Sequence, residues 1–588
     1  MMNKISTGKK KAMSSRLIVF SLVICALPMT IACSDFLYDD SDIVTYSDKE
    51  FLNSDADTLW SVVGIINKMQ AIADRTILLG ELRGDLVTVT SYADADLRDV
   101  SQFTMGNDNK YDSPVDYYAI INNCNYFIAH ADTALRNNRN ETIFIKEYAA
   151  VKAFRAWTYL QLALVYGRVP FVTEPITSME QSEQSFPYYG LEDICQYFIA
   201  DIAPYAEIEH PGYGIIRNTD SNLFYFPIYI LLGDLNLWSG NYRAAAENYY
   251  KYVSLRNGRN SSYPISTNSV RFATNDSHWM STMDSWSVMA FGTETSSINS
   301  ELITMIPGDS IPSEGNYSEL RDLFNTNDRN EYKESIIASP YLYQLSEAQR
   351  YCHYTTGGEY VFSPDGLDNH LSGDLRLQSS FRQSFVNMTI NGKHVTNYVS
   401  NNKYSTRNVH IYRRAMVYLR MAEALNRAGF PRFAFQILKS GVNNSVIENE
   451  VLPYYPSDEA WLRTFNFPDN IYVLETTARG SNENTMGLHS RGSGYSNANT
   501  SYILPDNEQL DDAQRLQYQI EKVEDLIADE EALEFAFEGH RYYDLMRIAL
   551  RRNDPSYLAG HVARRNGATD PSLLEKLSSK ENWYLKLE

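Results

Sequence analysis

The sequence predicts a mostly α-helical protein, a scaffold of helical pairs carrying long irregular loops and few short strands. Three observations predict it. Two stretches read as a helix, a glycine turn and a second helix. Apolar residues recur three and four apart in several further segments, which is the period of a half-buried helix. Between these segments lie long tracts rich in Ser, Asn, Thr, Gly and Asp, without helical periodicity.

The elements follow in order. Ala150, Ala153, Trp157, Leu160 and Leu164 form one apolar stripe of a helix at 144–166, which Gly167 and Pro170 end. In 231–253, Leu231, Leu235 and Trp238 form a stripe, Gly240-Asn241 makes a turn, and Ala245, Tyr249 and Tyr252 form the stripe of a second helix. A small Ala at the helix crossing with Gly at the turn is the tetratricopeptide pattern. Residues 418–438 repeat it, with Ala422, Ala424 and Leu425 before Gly429, and Ala434, Ile437 and Leu438 after. Pro431 suits the first turn of a helix, where no backbone donor is needed. An acidic-aromatic helix is expected at 529–549, giving enough pairs to bury a continuous core. The tracts 256–315, 350–410 and 476–505 are expected as elaborated loops, where binding usually sits. Trp157 and Trp238, on apolar stripes, are assigned to the core.

Composition narrows the function. The chain has 588 residues and a formal charge of −21. Binding to nucleic acid needs a basic surface, so no nucleic-acid partner is expected. Tyr is abundant, 43 against 25 Phe and 7 Trp. A flat apolar ring with a polar tip suits a packed core and equally a wet, sugar-stacking surface. The cysteines Cys25, Cys33, Cys124, Cys195 and Cys352 show no metal-ligand spacing, and one bridge among the last three stays open. Ten His without paired spacing point away from a metal centre, and no cofactor is expected.

The amino terminus reads as an address. Residues 1–16 carry Lys4, Lys9, Lys10, Lys11 and Arg16, and 17–29 form an apolar run too short to span a bilayer comfortably. Thr30-Ile31-Ala32-Cys33 then resembles a bacterial lipobox. It implies a lipoprotein signal peptide at 1–32, cleavage before Cys33 and acylation of that cysteine. Several acyl chains, palmitate among them, hold a protein to a membrane stably where one does not. Asp35, Asp39, Asp40 and Asp42 resemble the surface-export signal of Bacteroidetes lipoproteins.

Strings spread along the chain resemble the SusD/RagB family. They are Cys33-Ser34-Asp35-Phe36-Leu37, Gly80-Glu81-Leu82-Arg83-Gly84-Asp85, and Tyr117-Tyr118 with Ile121-Asn122-Asn123-Cys124-Asn125. Further on come Arg155-Ala156-Trp157 with Tyr166-Gly167-Arg168-Val169-Pro170, the stretch Tyr418 to Asn426, and Phe537 to Arg547. The resemblance implies a mature chain whose parts 33–300 and 301–588 pack as one globule. It also implies a lipid-anchored location on the outer face of the outer membrane. The implied partner is a SusC-like, TonB-dependent transporter. The implied ligand is an oligosaccharide, with peptides taken in one branch, and no chemistry is performed.

Candidate ligand contacts come from loop aromatics flanked by polar side chains, since sugar C–H faces stack on rings while polar groups fix orientation. They are Trp279 and Trp286, in a tract with Asn275, Asp276 and Asp284; Tyr92, flanked by Asp94 and Asp96; and Tyr317, after Asn316. The rival reading is a surface glycoside hydrolase, which needs two carboxylates facing each other across a cleft. Glu538, Arg541, Asp544 and Arg547, three or so apart, read instead as an ion-pair ladder on one helix at the surface. Arg83-Gly84-Asp85 is expected to be structural, Arg83 meeting a carboxylate beside a turn at Gly84. His489, in Gly487 to Gly494, reads equally as structural or ligand-adjacent.

Overall fold

The first helix, α1 (Asp55–Glu81), lies beyond those expected. Val62, Ile65, Ile66, Met69, Ile72 and Ala73 recur three and four apart along it, and all are buried. The structure is a computed structural model. It describes residues 55–587 except 217–218, 258–259, 262–270, 275–279, 284–290, 292–293, 295–300, 309–316, 328–331, 355–359, 364–372, 391–392, 469–485 and 495–499. The signal segment, Cys33, Trp279 and Trp286 lie outside these residues.

After α1 come β1 (Val87–Val89), α2 (Ala95–Gln102), α3 (Pro114–His130) and α4 (Ile145–Tyr166). The helix read at 144–166 is therefore present, and it ends at Gly167. It is more deeply placed than one stripe implies, because polar members of its other faces are buried too. Lys152 and Arg155 both pair with Asp201 on α5 (Leu191–Ile202). Trp157 is 1% exposed and packs on Phe226 at 4.7 Å.

The two predicted pairs are α6 (Ile228–Trp238) with α7 (Tyr242–Ser254), and α9 (Arg414–Arg427) with α10 (Pro431–Lys439). Between them in sequence lies α8 (Pro340–Ala348). In the first pair a Cβ on Gly233 would fall 2.4 Å from a Tyr249 ring carbon, so the helices close to a distance only glycine permits. The Tyr249 hydroxyl donates to Asp234 Oδ1 at 2.6 Å. In the second pair Pro431 occupies the first turn, and Ala422, Ala424 and Ala434 are buried as the pattern requires. Trp238 is only half-buried, with the Arg547 guanidinium 5.1 Å from its ring.

Two expectations are corrected. The helix read at 529–549 is two helices, α11 (Asp512–Phe535) and α12 (Arg541–Arg552), followed by α13 (Pro555–Ala563) and α14 (Pro571–Leu577). The break holds Phe537 at φ 73° and Gly539 at φ 83°. A Cβ on Gly80 would lie 1.8 Å from the Gly539 carbonyl oxygen, so the end of α1 meets this turn glycine to glycine. The tract 350–410 is also more ordered than a loop. It carries a hairpin of β4 (Phe381–Ile390) and β5 (Lys393–Asn401). The other strands used below are β2 (Leu302–Ile306), β3 (Ile336–Ala338) and β6 (Val409–Arg413). β1 pairs antiparallel with β3, and β2 with β6.

Cys124, Cys195 and Cys352 are free and buried, so none bridges another. Ser54–Glu588 forms one compact unit. Among the described residues no helix is long and apolar enough to cross a membrane.

Candidate functional site

Tyr92 owes its exposure to Thr90. The Thr90 N–H donates to the Ser335 carbonyl at 2.9 Å, extending the β1–β3 ribbon by one rung. Its hydroxyl donates to the Glu334 carbonyl at 2.6 Å and accepts from the Tyr92 N–H at 3.1 Å. The chain turns there, and Tyr92 stands out with 57% of its surface exposed. Lys333 places its ammonium 4.3 Å from the ring centroid. Two residues on, Asp94 caps α2 by accepting from the Leu97 N–H at 2.9 Å.

Tyr317 is half-buried, and the Arg407 guanidinium covers one ring face at 3.8 Å. Arg407 is held there by Asp322, through contacts of 3.0 and 3.1 Å, and by the Ser318 carbonyl at 2.7 Å. Below, Asp74 accepts from the Ser318 hydroxyl and the Glu319 N–H, each at 2.7 Å. Burial lifts the Asp74 carboxyl to about 6, against those hydrogen bonds, which pull the other way.

Lys110 joins the two stretches. Its ammonium lies 3.1 Å from Asp94 and 3.2 Å from Glu319. The structure thus brings Tyr92 and Tyr317 to one charged rim. All partners of this bridge are exposed, so it is worth at most ~1 kcal/mol. Sequence reasoning missed Lys110, Lys333 and Tyr343. Tyr343, on α8, is 48% exposed, and Glu334 at the edge of the β1–β3 ribbon acts on its hydroxyl. Neighbouring Tyr332 holds φ at 63°, a conformation that costs a non-glycine residue energy and clusters at binding sites. No local sequence signal marks these residues; the pairing of β1 with β3 brings Lys333 to Tyr92, and Lys110 reaches the rim through Asp94 and Glu319.

The charged string that ends the chain is buried. Glu538, Arg541, Asp544 and Arg547 are nearly inaccessible, which corrects the surface ladder. Only Asp544–Arg547, at 2.8 Å, is a link of that ladder. Glu538 sits in the turn before α12 and meets Arg413 and Lys403. Arg541 forks onto Asp85 at 2.6 and 3.0 Å, and Arg547 onto Glu423 at 2.8 and 2.6 Å. Arg83 meets no carboxylate among the described residues. Its guanidinium lies 4.1 Å over the Tyr542 ring and donates to the Trp583 carbonyl. Asp85 takes the ionic role instead, and with both residues buried the tripeptide cannot engage an adhesion receptor. His489 is likewise a core residue, stacked on Tyr502 at 3.8 Å with Nδ1 2.8 Å from Glu530.

The sequence profile of the SusD family matches residues 505–584. A SusD superfamily protein from Bacteroides vulgatus aligns over 91% of this chain and 96% of its own, with a TM-score of 0.54 and 14% identity. The fold is SusD-like. A SusD-like carbohydrate binding protein from Bacteroides fragilis aligns over 86% of this chain and 88% of its own, at 0.50 and 13%. Surface glycan-binding protein A from Bacteroides fluxus covers 88% and 92%, at 0.50 and 14%. No curated protein matches the sequence significantly.

The matched segment spans all of α11 to α14, and its acids organise the frame. Glu534 takes Arg376, Arg413 and Arg491; Glu530 takes Arg376; Glu301 takes Arg413 and Arg491. Burial raises the cost of these carboxylates, yet the guanidinium groups hold Glu534 well below the usual range. Each basic residue, and Glu301, lies near the end of an irregular tract or the β4–β5 hairpin. The cluster therefore pins the roots of these segments to α11. Among the described residues no group of His, Cys, Asp and Glu could hold a metal ion.

Proposed function

We propose that the protein is a surface lipoprotein that binds an oligosaccharide and delivers it to a SusC-like, TonB-dependent transporter in the outer membrane. Acylated Cys33 is its anchor, the exterior its location, and the two parts 33–300 and 301–588 work as one globule. The observation that carries the ligand class is the Tyr92 rim. An exposed ring is fixed by Thr90 and ringed by Asp94, Lys110, Glu319 and Lys333, with Tyr317 alongside. Ring faces supply stacking and the charged groups supply hydrogen bonds to hydroxyls. Trp279 and Trp286, flanked by polar side chains in the sequence, are further candidates for the same chemistry. Similar folds that bear carbohydrate- and glycan-binding names support the ligand class.

Binding without turnover is the proposed activity. Burial lifts two carboxyls beside the rim, Asp74 and Glu334, and Asp74 is engaged by the Ser318 hydroxyl and the Glu319 N–H. Calorimetry against a panel of oligosaccharides is the test, with Tyr92→Ala, Tyr317→Ala and the pair Trp279→Ala with Trp286→Ala. Micromolar to millimolar binding that weakens in these variants, with no new reducing ends after incubation, is expected. Binding of peptides and of no sugar would overturn the ligand class. Release of reducing ends would overturn the binding-only role.

A further inference from the structure

A second concave site lies between α11 and α13, and it shares no lining residue with the Tyr92 rim. The cleft encloses about 360 Å³, toward the small end of ligand pockets. Asp525, Asp529, Arg552, Tyr557, His561 and Arg564 line it. Their partners are unequal. Arg552 is satisfied by Glu524 and Asp525. Asp529 accepts no hydrogen bond among the described residues, although it is only partly exposed. Burial lifts its carboxyl to about 6.

His561 is oriented from behind. Its Nδ1 lies 3.0 Å from Asp85. The Asp85 carboxyl is itself held very low against burial by Arg541, so it accepts and Nδ1 carries the hydrogen. Nε2 is left for the cleft, without a partner among the described residues. Arg564 donates only its Nε, to the Gly560 carbonyl at 2.9 Å, which leaves its terminal nitrogens at the mouth. The cleft thus offers two acceptors on its walls, a phenol between α11 and α13, and an unengaged guanidinium at the rim.

Two acceptors with adjacent reach match a vicinal pair of hydroxyls. The guanidinium groups of Arg552 and Arg564 on the same lining repel an ammonium. The free guanidinium fits a carboxylate, bidentately. We propose that this cleft binds a single uronic-acid unit, its vicinal hydroxyls on Asp529 and His561 and its carboxylate on Arg564. The choice of a sugar over other hydroxylated anions rests on the proposed function.

The purified full-length protein is titrated by calorimetry with D-glucuronate, D-galacturonate, D-glucose and L-lysine. One of the uronates is expected to bind at least tenfold tighter than glucose. Asp529→Asn and Arg564→Gln should each weaken it about tenfold, and Arg564→Gln should leave glucose unchanged. Gly560→Phe is the second variant, because a Cβ there meets nothing within 4 Å, so the ring fills the cleft without disturbing the core. It should abolish binding. Tyr92→Ala should change nothing at this site. Uronates no tighter than glucose, uronate binding untouched by Asp529→Asn and Gly560→Phe, or preferred binding of lysine would each overturn the inference. If oligosaccharide binding depends on Tyr92 while uronates fail, this inference alone falls. If uronates bind through Asp529 while Tyr92 proves irrelevant to oligosaccharides, the earlier reading alone falls.

Discussion

The acids of α11 and the acids of the Tyr92 rim are the same chemistry put to opposite uses. Glu534 is fully enclosed and meets Arg376, Arg413 and Arg491. Asp94 and Glu319 are about half exposed and share one lysine. In the interior, an unpaired charge cannot turn to water, so every partner becomes obligatory. At the rim, water replaces a lost partner at little cost, and the groups stay available to a ligand. Burial separates frame from site, and removing charges one at a time is how to test that division.

The largest effect is expected inside. Glu534→Gln keeps the shape but puts an amide N–H₂ against guanidinium donors. Breaking one partner of a buried ionic group costs ~3–5 kcal/mol, which chemical denaturation will read as a lower midpoint at an unchanged slope. Buried, paired acids also set acid sensitivity. Glu534 and Asp85 are held below their ordinary values in the folded state. Their stabilisation is present above the unfolded carboxyl range and is lost as pH falls through their folded values.

Glu81 breaks the comparison in an informative way, because it is buried without a cation at hydrogen-bond distance. Its Oε1 accepts from the Gly539 N–H at 2.8 Å, and its hydrogen-bond partners are backbone groups of the turn at 537–539. Burial pushes its carboxyl up to about 7. A carboxyl with a raised folded value favours the folded state when protonated, so its contribution falls as pH climbs from about 4.5 through about 7. Glu81→Gln keeps the acceptor and removes the titration. Relative to the parent, the variant should gain on the order of 3 kcal/mol between pH 4.5 and pH 8. A constant difference across that range would show that Glu81 ionises normally.

Tyr92→Ala should behave as neither. The ring packs little, so the denaturation midpoint should hold, while affinity for the bound oligosaccharide should drop about tenfold, equivalent to ~1.4 kcal/mol. A loss of stability without a loss of affinity would move Tyr92 from the site to the frame.

The helical pairs were legible because periodicity and turn chemistry are local. Leu231 to Tyr252 and Ala422 to Leu438 announce helix, turn and helix within two dozen residues, and α4 is bounded by Gly167. The break at 536–540 was not legible. Glu538, Arg541, Asp544 and Arg547 keep a helical spacing across it, and only the approach of Gly80 to Gly539 and of Glu81 to the Gly539 N–H forces the turn. The long β4–β5 hairpin hid in a polar tract for a similar reason, since pairing partners rather than composition decide a strand. Tyr92 could be picked by its polar neighbours, but Lys333 joins it only through the pairing of β1 with the distant β3, and Lys110 only through its ion pairs with Asp94 and Glu319.

Lys110→Ala should have the smallest effect on the fold and is the sharpest probe of the rim. The lysine links Asp94 to Glu319, which lies 209 positions beyond it in sequence, yet both carboxylates are exposed. Such a bridge contributes between nothing and ~1 kcal/mol, and less as salt screens it. The denaturation midpoint should therefore move little, and the small shift should vanish in high salt. Affinity is the more telling measurement. If Lys110 holds the Tyr92 and Tyr317 stretches in register, its loss will weaken oligosaccharide binding severalfold, and high salt will reproduce the effect in the parent protein. If the stretches are held by Thr90 and Asp74 alone, affinity will be indifferent to both. The rim would then be a rigid extension of the buried frame, and the contrast between the two sets of acids would narrow to their exposure.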